Sequence, residues 1–248
     1  MFKLKAVLVI AITVFALCVV EAQTARDALP KLTVVPVPQD SPRAAEWWPD
    51  RHDEKIRQAK DTQVDLVFVG DSITHSWENE GVEAWQEYYQ GRNAFNLGFS
   101  GDRTEHVLWR IENGALDGMK PALAVLLIGT NNTGHRMDPA AYTAEGIERV
   151  VIDIRERLPG TRVLVLSIFP RHMSPYDEMR KRNDEINRLI STLDNGEEIY
   201  YLDISRAFLR DDGTLRVDLM PDLLHLNSAG YRVWAEAMEP TIESLLRN

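Results

Sequence analysis

The sequence predicts an α/β fold in which a central parallel β-sheet is covered by helices on both faces. Short apolar, β-prone segments alternate along the chain with longer segments that carry apolar residues at helical spacing. Strands buried on both faces give such continuous apolar runs, and right-handed crossovers through helices make consecutive strands parallel. The five predicted strands are residues 64–69, 93–97, 122–128, 162–169 and 198–204.

The predicted helices lie between and around these strands. A helix over residues 46–60 precedes the first strand, with Trp47 and Trp48 covering the core or, alternatively, lining a sugar or lipid site. In residues 176–193 we expect Met179 and Leu189 to point inward. The remaining helices are predicted at residues 82–89, 104–111, 139–158 and 228–246, the last capped by Asn227.

Length and composition indicate one acidic α/β domain. The 248 residues are enough for a single sizeable core, and no internal repeat divides them. The net charge of −10, without runs of Lys or Arg, gives no electrostatic footprint for nucleic acid or an anionic membrane. Cys18 is the only cysteine, so an intrachain disulfide is impossible.

The N-terminus has the pattern of a secretory signal peptide. Lys3 and Lys5 precede an apolar run over residues 6–20, and small residues follow as far as Ala22. We predict cleavage after residue 22 and export from a bacterial cell. The apolar run is short for a membrane span, so we expect no stable membrane insertion after cleavage; an uncleaved anchor is the alternative. Residues 23–45 contain four prolines and predict an extended arm or linker before a folded domain at 46–248.

Three strand ends carry residues that can donate hydrogen bonds. Ser72 follows the first strand, Gly101 the second and Asn131 the third. Because the carboxyl ends of parallel strands share one edge of the sheet, these residues can converge. The backbone N–H groups of Ser72 and Gly101 and the side-chain amide of Asn131 would then form an oxyanion hole.

A base for the Ser72 hydroxyl is offered by Asp222-Leu-Leu-His225 near the C-terminus. A serine hydroxyl is a weak nucleophile and needs such a base. The spacing of three lets the Asp222 carboxylate reach Nδ1 of His225, which leaves Nε2 free to accept the proton of Ser72. Asp-x-x-His is also common by chance, and the alternative is that these two residues merely close a loop.

Four blocks of this sequence, in this order, resemble those of the SGNH (GDSL-type) hydrolases. Three further segments resemble the catalytic subunits of intracellular platelet-activating-factor acetylhydrolase: residues 101–110, 169–171 and 225–231. The resemblance covers residues 46–246. The four blocks are Gly70-Asp71-Ser72, Asn96-Leu-Gly-Phe-Ser-Gly-Asp102, Gly129-Thr-Asn131 and Asp222-Leu-Leu-His225.

This resemblance implies a three-layer α/β/α flavodoxin-like fold and a catalytic triad that needs no metal and no cofactor. It makes Ser72 the nucleophile and first oxyanion donor, His225 the base and Asp222 the residue that orients it. It makes Gly101 and Asn131 the second and third donors. The resemblance to this subfamily further implies a preference for a short acyl group, with acetyl as the favoured one. It also makes a homodimer a candidate oligomeric state.

Ile73, Thr130 and Leu224 flank these blocks and are our candidates for the wall of the acyl pocket. His106 is a weaker candidate base, because it falls inside a predicted helix. Arg171 could contact an acidic or polar substrate group or form a structural ion pair. The histidines lack metal-ligand spacing, which argues against a metal site.

We therefore expect an exported serine esterase that acts on a small-molecule or glycan ester, with O-acetylated carbohydrate as the favoured substrate. One alternative is a lysophospholipase or thioesterase of the same family. The other is a non-catalytic carbohydrate-binding module, which the exposed-looking Trp47, Trp48 and Trp77 would suit.

Overall fold

The computed structural model describes residues 31–247, and these form a three-layer α/β/α fold. All strand pairs of the central sheet are parallel, and the strand order is β2-β1-β3-β4-β5. The predicted fold class is thereby confirmed. The strands are β1 Leu66–Gly70, β2 Ala94–Gly98, β3 Leu123–Leu127, β4 Arg162–Leu166 and β5 Ile199–Leu202.

The helices form two layers because alternate residues of the strands point to opposite faces of the sheet. Val67 and Val69 of β1 pack into one core, and Leu66 and Phe68 pack into the other. The helices are α1 Trp48–Lys60, α2 Ser72–His75, α3 Val82–Tyr88, α4 Thr104–Glu112, α5 Thr130–Arg136, α6 Ala140–Arg157, α7 Glu178–Ile190 and α8 Ser228–Arg247. Helices α1, α4, α6 and α7 cover the first face, and α3 and α8 cover the second.

The carboxyl ends of β1, β2 and β3 are aligned in register. Gly70 of β1 lies beside Gly98 of β2 on one side and Leu127 of β3 on the other. A Cβ atom on Gly98 would lie 2.1 Å from the backbone nitrogen of His75. Glycine at this position therefore lets α2 pack directly against the end of β2, which brings the two following loops together.

Helix α7 buries Ile186 and Ile190 as its periodicity predicts, but the predicted inward position of Leu189 is wrong. Leu189 is 42% exposed, whereas the polar residues Asn183 and Asn187 are buried. Asn187 Oδ1 accepts a hydrogen bond from the backbone N–H of Ile168 (2.7 Å), and Asn187 Nδ2 donates to the Ile168 carbonyl (2.9 Å). The polar face of α7 thus satisfies the backbone beyond β4, which explains why that strand ends at Leu166 rather than at residue 169.

Two of the three tryptophans that suggested a carbohydrate-binding surface lie in the interior. Trp77 is 1% exposed, with ring centroids 4.6 Å from Tyr231 and 4.7 Å from Trp234. Trp48 is 1% exposed and donates from Nε1 to Asp102 Oδ1 at 2.7 Å. Trp48 therefore covers the core, as the first of its two interpretations predicts, whereas the expectation that Trp77 is exposed is wrong because it completes the packing under α8. Trp47 remains partly exposed.

The described part of the proline-rich arm, residues 31–45, lies against the domain. Thr33 is buried, and its carbonyl oxygen accepts a hydrogen bond from Thr104 Oγ1 at 2.8 Å. Val37 N–H donates to the Glu105 carbonyl at 3.3 Å. The predicted signal peptide and residues 23–30 lie outside the described residues. Within residues 31–247, each helix is too short or too polar to cross a membrane.

Candidate active site

Ser72, His225 and Asp222 form a hydrogen-bonded row at the carboxyl edge of the sheet. Ser72 is the first residue of α2, immediately after β1. Its Oγ lies 3.0 Å from His225 Nε2, and His225 Nδ1 lies 2.7 Å from Asp222 Oδ2. The structure therefore brings the three residues together across 153 positions of sequence.

Asp222 both closes its loop and holds the imidazole. Its Oδ1 accepts from the backbone N–H groups of Leu224 (3.0 Å) and His225 (2.6 Å), while Oδ2 faces His225 Nδ1. Burial tends to raise the pKa of Asp222, but these hydrogen bonds outweigh it and hold the pKa below its ordinary value. The ionised carboxylate accepts a hydrogen bond from Nδ1–H of His225. The imidazole tautomer that faces Ser72 therefore has a free lone pair on Nε2.

Gly101 and Asn131 line the same cleft as Ser72 and His225; its volume is about 630 Å³. Gly101 has φ +82°, a left-handed conformation that favours glycine. Asn131 lies in the first turn of α5, and its Nδ2 donates to the Asp102 carbonyl at 2.9 Å. An amide NH₂ carries two protons, so one N–H of Asn131 fixes the side chain and the second can serve a ligand.

The three candidate acyl-pocket residues differ in position. Leu224 lines the cleft, whereas Ile73 (2% exposed) and Thr130 (1% exposed) are buried beneath it. Arg171 donates from Nη1 to the carbonyl oxygen of Thr130 at 2.9 Å and to Thr130 Oγ1 at 3.2 Å. Because Arg171 is only 8% exposed and holds this backbone, its arrangement favours a structural role over a substrate contact.

The alternative base, His106, and Ser100, a second serine at the cleft, are both engaged elsewhere. His106 is fully buried, and its Nδ1 accepts from the backbone N–H of Arg103 at 3.1 Å. Burial, and then the nearby Arg103 guanidinium, lower the pKa of His106 to about 3. Ser100 does line the cleft, but its Oγ lies 3.0 Å from Nδ1 of His75 rather than near His225.

One wall of the cleft comes from the arm and the start of α1. This wall was missed by sequence reasoning, because its prolines and lack of periodicity are typical of a linker. The only local signal is Ser41, whose Oγ accepts from the Ala44 N–H at 3.2 Å and so begins a turn before α1. The wall consists of Gln39, Asp40, Ser41, Arg43, Ala44 and Trp47.

Beneath the cleft lies a buried ion pair between Asp102 and Arg110. Asp102 is 0% and Arg110 1% exposed, and Arg110 Nε donates to Asp102 Oδ2 at 2.8 Å. Asp102 Oδ1 also accepts from Trp48 Nε1 (2.7 Å) and Gln39 Nε2 (2.9 Å). Arg110 reaches the ends of two strands through the carbonyl oxygens of Leu97 (3.3 Å) and Gly70 (3.4 Å).

Residues 31–247 contain no cluster of three His, Cys, Asp or Glu side chains that could hold a metal ion. The arrangement around Ser72 is instead that of a nucleophile, a base and nearby hydrogen-bond donors. Such a set can perform acyl transfer at an ester carbonyl.

Comparison with known proteins agrees with this chemistry. Residues 68–233 match the model of the GDSL-like lipase/acylhydrolase family. Over 200 residues the chain is 35% identical to platelet-activating factor acetylhydrolase IB subunit alpha1 from Homo sapiens, covering 80% of this chain and 84% of that protein.

Solved structures share the fold at lower identity. A GDSL-like lipase from Bacteroides thetaiotaomicron superposes with a TM-score of 0.63 at 18% identity, over 79% of this chain and 97% of that one. An acetylxylan esterase from Geobacillus stearothermophilus gives a TM-score of 0.58 at 18% identity, over 75% of this chain and 94% of that one.

Asp71, beside Ser72, is a buried carboxyl group with an incomplete set of partners. Its Oδ1 accepts from the Ile73 N–H at 3.0 Å, and Oδ2 is buried with no hydrogen-bond partner among the described residues. Burial raises the pKa of Asp71 to about 7, and the nearby carboxylate of Asp102 adds to the rise. The folded chain therefore holds the Asp71 proton more tightly than the unfolded chain.

The variant Asp71→Asn should gain stability relative to wild type as the pH rises. A carboxyl group whose pKa is 3.8 in the unfolded chain and about 7 in the folded chain contributes to the stability of the wild-type fold. This contribution is fully present below pH 4 and is lost as the pH rises past 7. Between pH 5 and pH 8 we expect the free energy of unfolding of the variant to rise against wild type by about 2 to 3 kcal/mol. Urea unfolding at several pH values measures it.

Asp65→Asn is the matched control. Hydrogen bonds from Gln63 and Asn93 lower the pKa of Asp65, so it is ionised throughout this pH window in both states. Its difference from wild type should stay flat from pH 5 to pH 8. An equally flat difference for Asp71→Asn would show that Asp71 is already ionised at pH 5 in the folded chain.

Proposed function

Because this chain belongs to the GDSL-like lipase/acylhydrolase family, we propose that it is an exported serine esterase that removes short acyl groups, above all acetyl, from carboxylic esters. One observation carries the proposal: Ser72 Oγ lies 3.0 Å from His225 Nε2, and His225 Nδ1 lies 2.7 Å from Asp222, inside a cleft that Gly101 and Asn131 also line.

In the first half-reaction Ser72 Oγ attacks the ester carbonyl while its proton moves to His225 Nε2. The Asp222 carboxylate stabilises the imidazolium. The negatively charged oxygen of the tetrahedral intermediate accepts hydrogen bonds from the N–H groups of Ser72 and Gly101 and from Asn131 Nδ2. When the intermediate collapses, the alcohol leaves with the proton from His225, and the acyl group stays on Ser72.

In the second half-reaction a water molecule attacks the acyl carbonyl. His225 accepts a proton from this water and returns it to Ser72 Oγ as the bond to the acyl group breaks. The carboxylic acid leaves, and the enzyme returns to its starting state. Each step uses side chains and backbone groups of this chain, so the proposed reaction needs no metal and no cofactor.

The distribution of space in the cleft supports a short acyl group and a larger alcohol. Two of the candidate acyl-pocket residues, Ile73 and Thr130, are close-packed and buried, which leaves little room beside them. The open volume is instead lined by the polar residues of the arm together with Trp47. Polar groups around an aromatic ring suit a sugar, so we propose O-acetylated carbohydrate as the substrate class.

The names of two similar proteins fit this substrate class without fixing it. The human relative is named a platelet-activating factor acetylhydrolase, and the Geobacillus structure an acetylxylan esterase. Both names specify acetyl, and they differ in the alcohol. For this chain the acyl preference and the alcohol are therefore tested separately.

A series of p-nitrophenyl esters from acetate to palmitate tests the acyl preference. We expect the fastest hydrolysis for acetate and a steady fall in kcat/KM with chain length. Ser72→Ala should lose activity by a factor on the order of 10⁴ or more, because removal of a triad nucleophile disables the whole triad. Steady-state kinetics of the two proteins measure both effects.

The control is Ser100→Ala, which removes another of the serine hydroxyl groups that line the cleft and should cost far less activity than Ser72→Ala. A preference for long acyl chains would favour the lysophospholipase or thioesterase alternative. If folded protein hydrolyses none of the esters, the binding-module alternative becomes the one to test.

Trp47 provides a test of the alcohol. The centroid of its ring lies 6.5 Å from that of Phe99 in a stacked arrangement, and Trp47 lines the cleft. For Trp47→Ala we expect KM for an acetylated xylo-oligosaccharide to rise about tenfold, equivalent to about 1.4 kcal/mol, while KM for ethyl acetate changes less than twofold. Ethyl acetate is the reference because its alcohol is too small to stack.

The matched control for Trp47→Ala is Trp109→Ala, another partly exposed tryptophan that does not line the cleft. Equal effects of both variants on the oligosaccharide, or equal effects of Trp47→Ala on both esters, would argue against Trp47 as a sugar platform.

Export is proposed from residues 1–22, which carry two lysines, an apolar run and a short small-residue site. When the full-length chain is expressed in a bacterial host, we expect protein from outside the cytoplasm to begin at Gln23. Intact-mass measurement gives the N-terminus. Retention of residues 1–22 would favour the uncleaved membrane anchor.

A further inference from the structure

The carboxamide of Gln39, in the arm, spans the loop that contains Gly101. Gln39 Nε2 donates to the Ser100 carbonyl at 3.1 Å and to Asp102 Oδ1 at 2.9 Å. The two N–H bonds of one amide thus hold the residues immediately before and after Gly101. These contacts link parts of the chain that are about 60 residues apart in sequence.

The same amide packs directly against Gly101. A Cβ atom on Gly101 would lie 3.2 Å from Gln39 Oε1 and 3.5 Å from Gln39 Nε2. Gly101 therefore has two reasons to be glycine: its positive φ and the close approach of this side chain. Gln39 covers one side of the peptide whose N–H is the second candidate oxyanion donor.

The orientation of the Gln39 amide is itself fixed. Ser41 Oγ donates to Gln39 Oε1 at 3.1 Å. With Oε1 held as an acceptor, the NH₂ group is the end that faces Ser100 and Asp102. A hydrogen-bond chain therefore runs from the turn at Ser41 through Gln39 to the Gly101 loop.

On the other side the loop is held by α2, the helix that begins at Ser72. The Ser100 N–H donates to His75 Nδ1 at 3.3 Å, and Ser100 Oγ lies 3.0 Å from the same atom. Burial, and then the Arg51 guanidinium, lower the pKa of His75 to about 4, so Nδ1 keeps a lone pair for this contact at neutral pH. From the cleft side the loop is held by the arm, through Gln39, and by Asn131, whose Nδ2 donates to the Asp102 carbonyl.

We propose that Gln39 is a positioning residue for catalysis: it fixes the Gly101 loop so that the Gly101 N–H points at the oxyanion, and it makes the N-terminal arm part of the active site. This inference rests on the proposed esterase function. Donors that are fixed in advance stabilise charge that develops only in the transition state. A loosened donor therefore lowers kcat much more than it raises KM.

Gln39→Ala tests the proposal with p-nitrophenyl acetate. We expect kcat to fall about tenfold with KM within twofold, a smaller loss than the 10² to 10³ that follows removal of an oxyanion donor altogether. Gln63→Ala is the matched control, because Gln63 is an exposed glutamine that bonds only Asp65, before β1. Its kinetics should equal those of wild type.

Gln39→Glu gives a signature that a purely structural role would not produce. At neutral pH a carboxylate would face the Ser100 carbonyl and the Asp102 carboxylate, so the loop loses its donors and gains repulsion. Protonation of the new carboxyl restores one donor. We expect the ratio of variant to wild-type kcat to rise as the pH falls.

Hydrogen exchange of residues 98–102, followed by mass spectrometry, gives a readout that is independent of catalysis. We expect faster exchange in Gln39→Ala than in wild type or Gln63→Ala, at a temperature below the unfolding transition of all three. Unchanged exchange, unchanged kcat, or a loss of kcat equal to that of Gln63→Ala would overturn the proposal.

Different results would contradict the proposed esterase function and the proposed role of Gln39. If wild type hydrolyses no ester, or if Ser72→Ala remains active, the proposed function is wrong. Exchange of residues 98–102 then decides alone whether Gln39 holds the loop. If wild type is active and Ser72→Ala is not, the function stands, and kcat of the Gln39 variants decides the role of the arm.

Discussion

The buried ion pair between Asp102 and Arg110 is the interaction on which both candidate oxyanion donors beyond Ser72, Gly101 and Asn131, depend. Two charges away from water are costly unless their remaining hydrogen-bonding groups are also satisfied, and loss of one partner from such a pair costs about 3 to 5 kcal/mol. Here Asp102 accepts from Arg110, Trp48 and Gln39, so the carboxylate joins α4, α1 and the arm. The Arg110 guanidinium in turn donates to the carbonyl oxygens of Gly70, the last residue of β1, and of Leu97 in β2. One pair of charges thus fixes the edge of the sheet at which the cleft forms.

Hydrogen bonds to Asp102 of this ion pair position the candidate oxyanion donors Gly101 and Asn131. The Asp102 carbonyl accepts from Asn131 Nδ2, and the Asp102 carboxylate accepts from Gln39, which packs on Gly101. Ser72 is positioned separately, by the end of β1 and by the close packing of α2 on Gly98. The candidate base, His225, is positioned by a third element, the loop that Asp222 closes with its own carboxylate. Three rigid supports meet in one cleft, which is the preorganisation that acyl transfer requires.

Whether a residue of the site could be predicted from the sequence depends on how far apart its contacting residues lie along the chain. Ser72, Gly101 and Asn131 were readable because each directly follows an apolar strand, and parallel strands end at one edge. Asp222 and His225 were readable because their contact spans three residues. Gln39 was not, because its partners lie about 60 residues away and its proline-rich surroundings carry no periodic signal. Trp77 and Leu189 were misplaced for a related reason: burial of an aromatic ring, or exposure of a leucine, depends on neighbours from distant helices such as α8.

The arm has a consequence for specificity because it serves two purposes with one segment. Its residues line the part of the cleft where the alcohol would lie, and Gln39 from the same segment holds the Gly101 loop. An alcohol that contacts Trp47 and the arm therefore binds the same segment that, on our proposal, also positions a candidate oxyanion donor. Binding energy from a part of the substrate remote from the ester can then be expressed in kcat as well as in KM. On this basis an esterase built in this way discriminates among alcohols through the rate of acyl transfer, and small model esters, which leave the arm untouched, underestimate its selectivity.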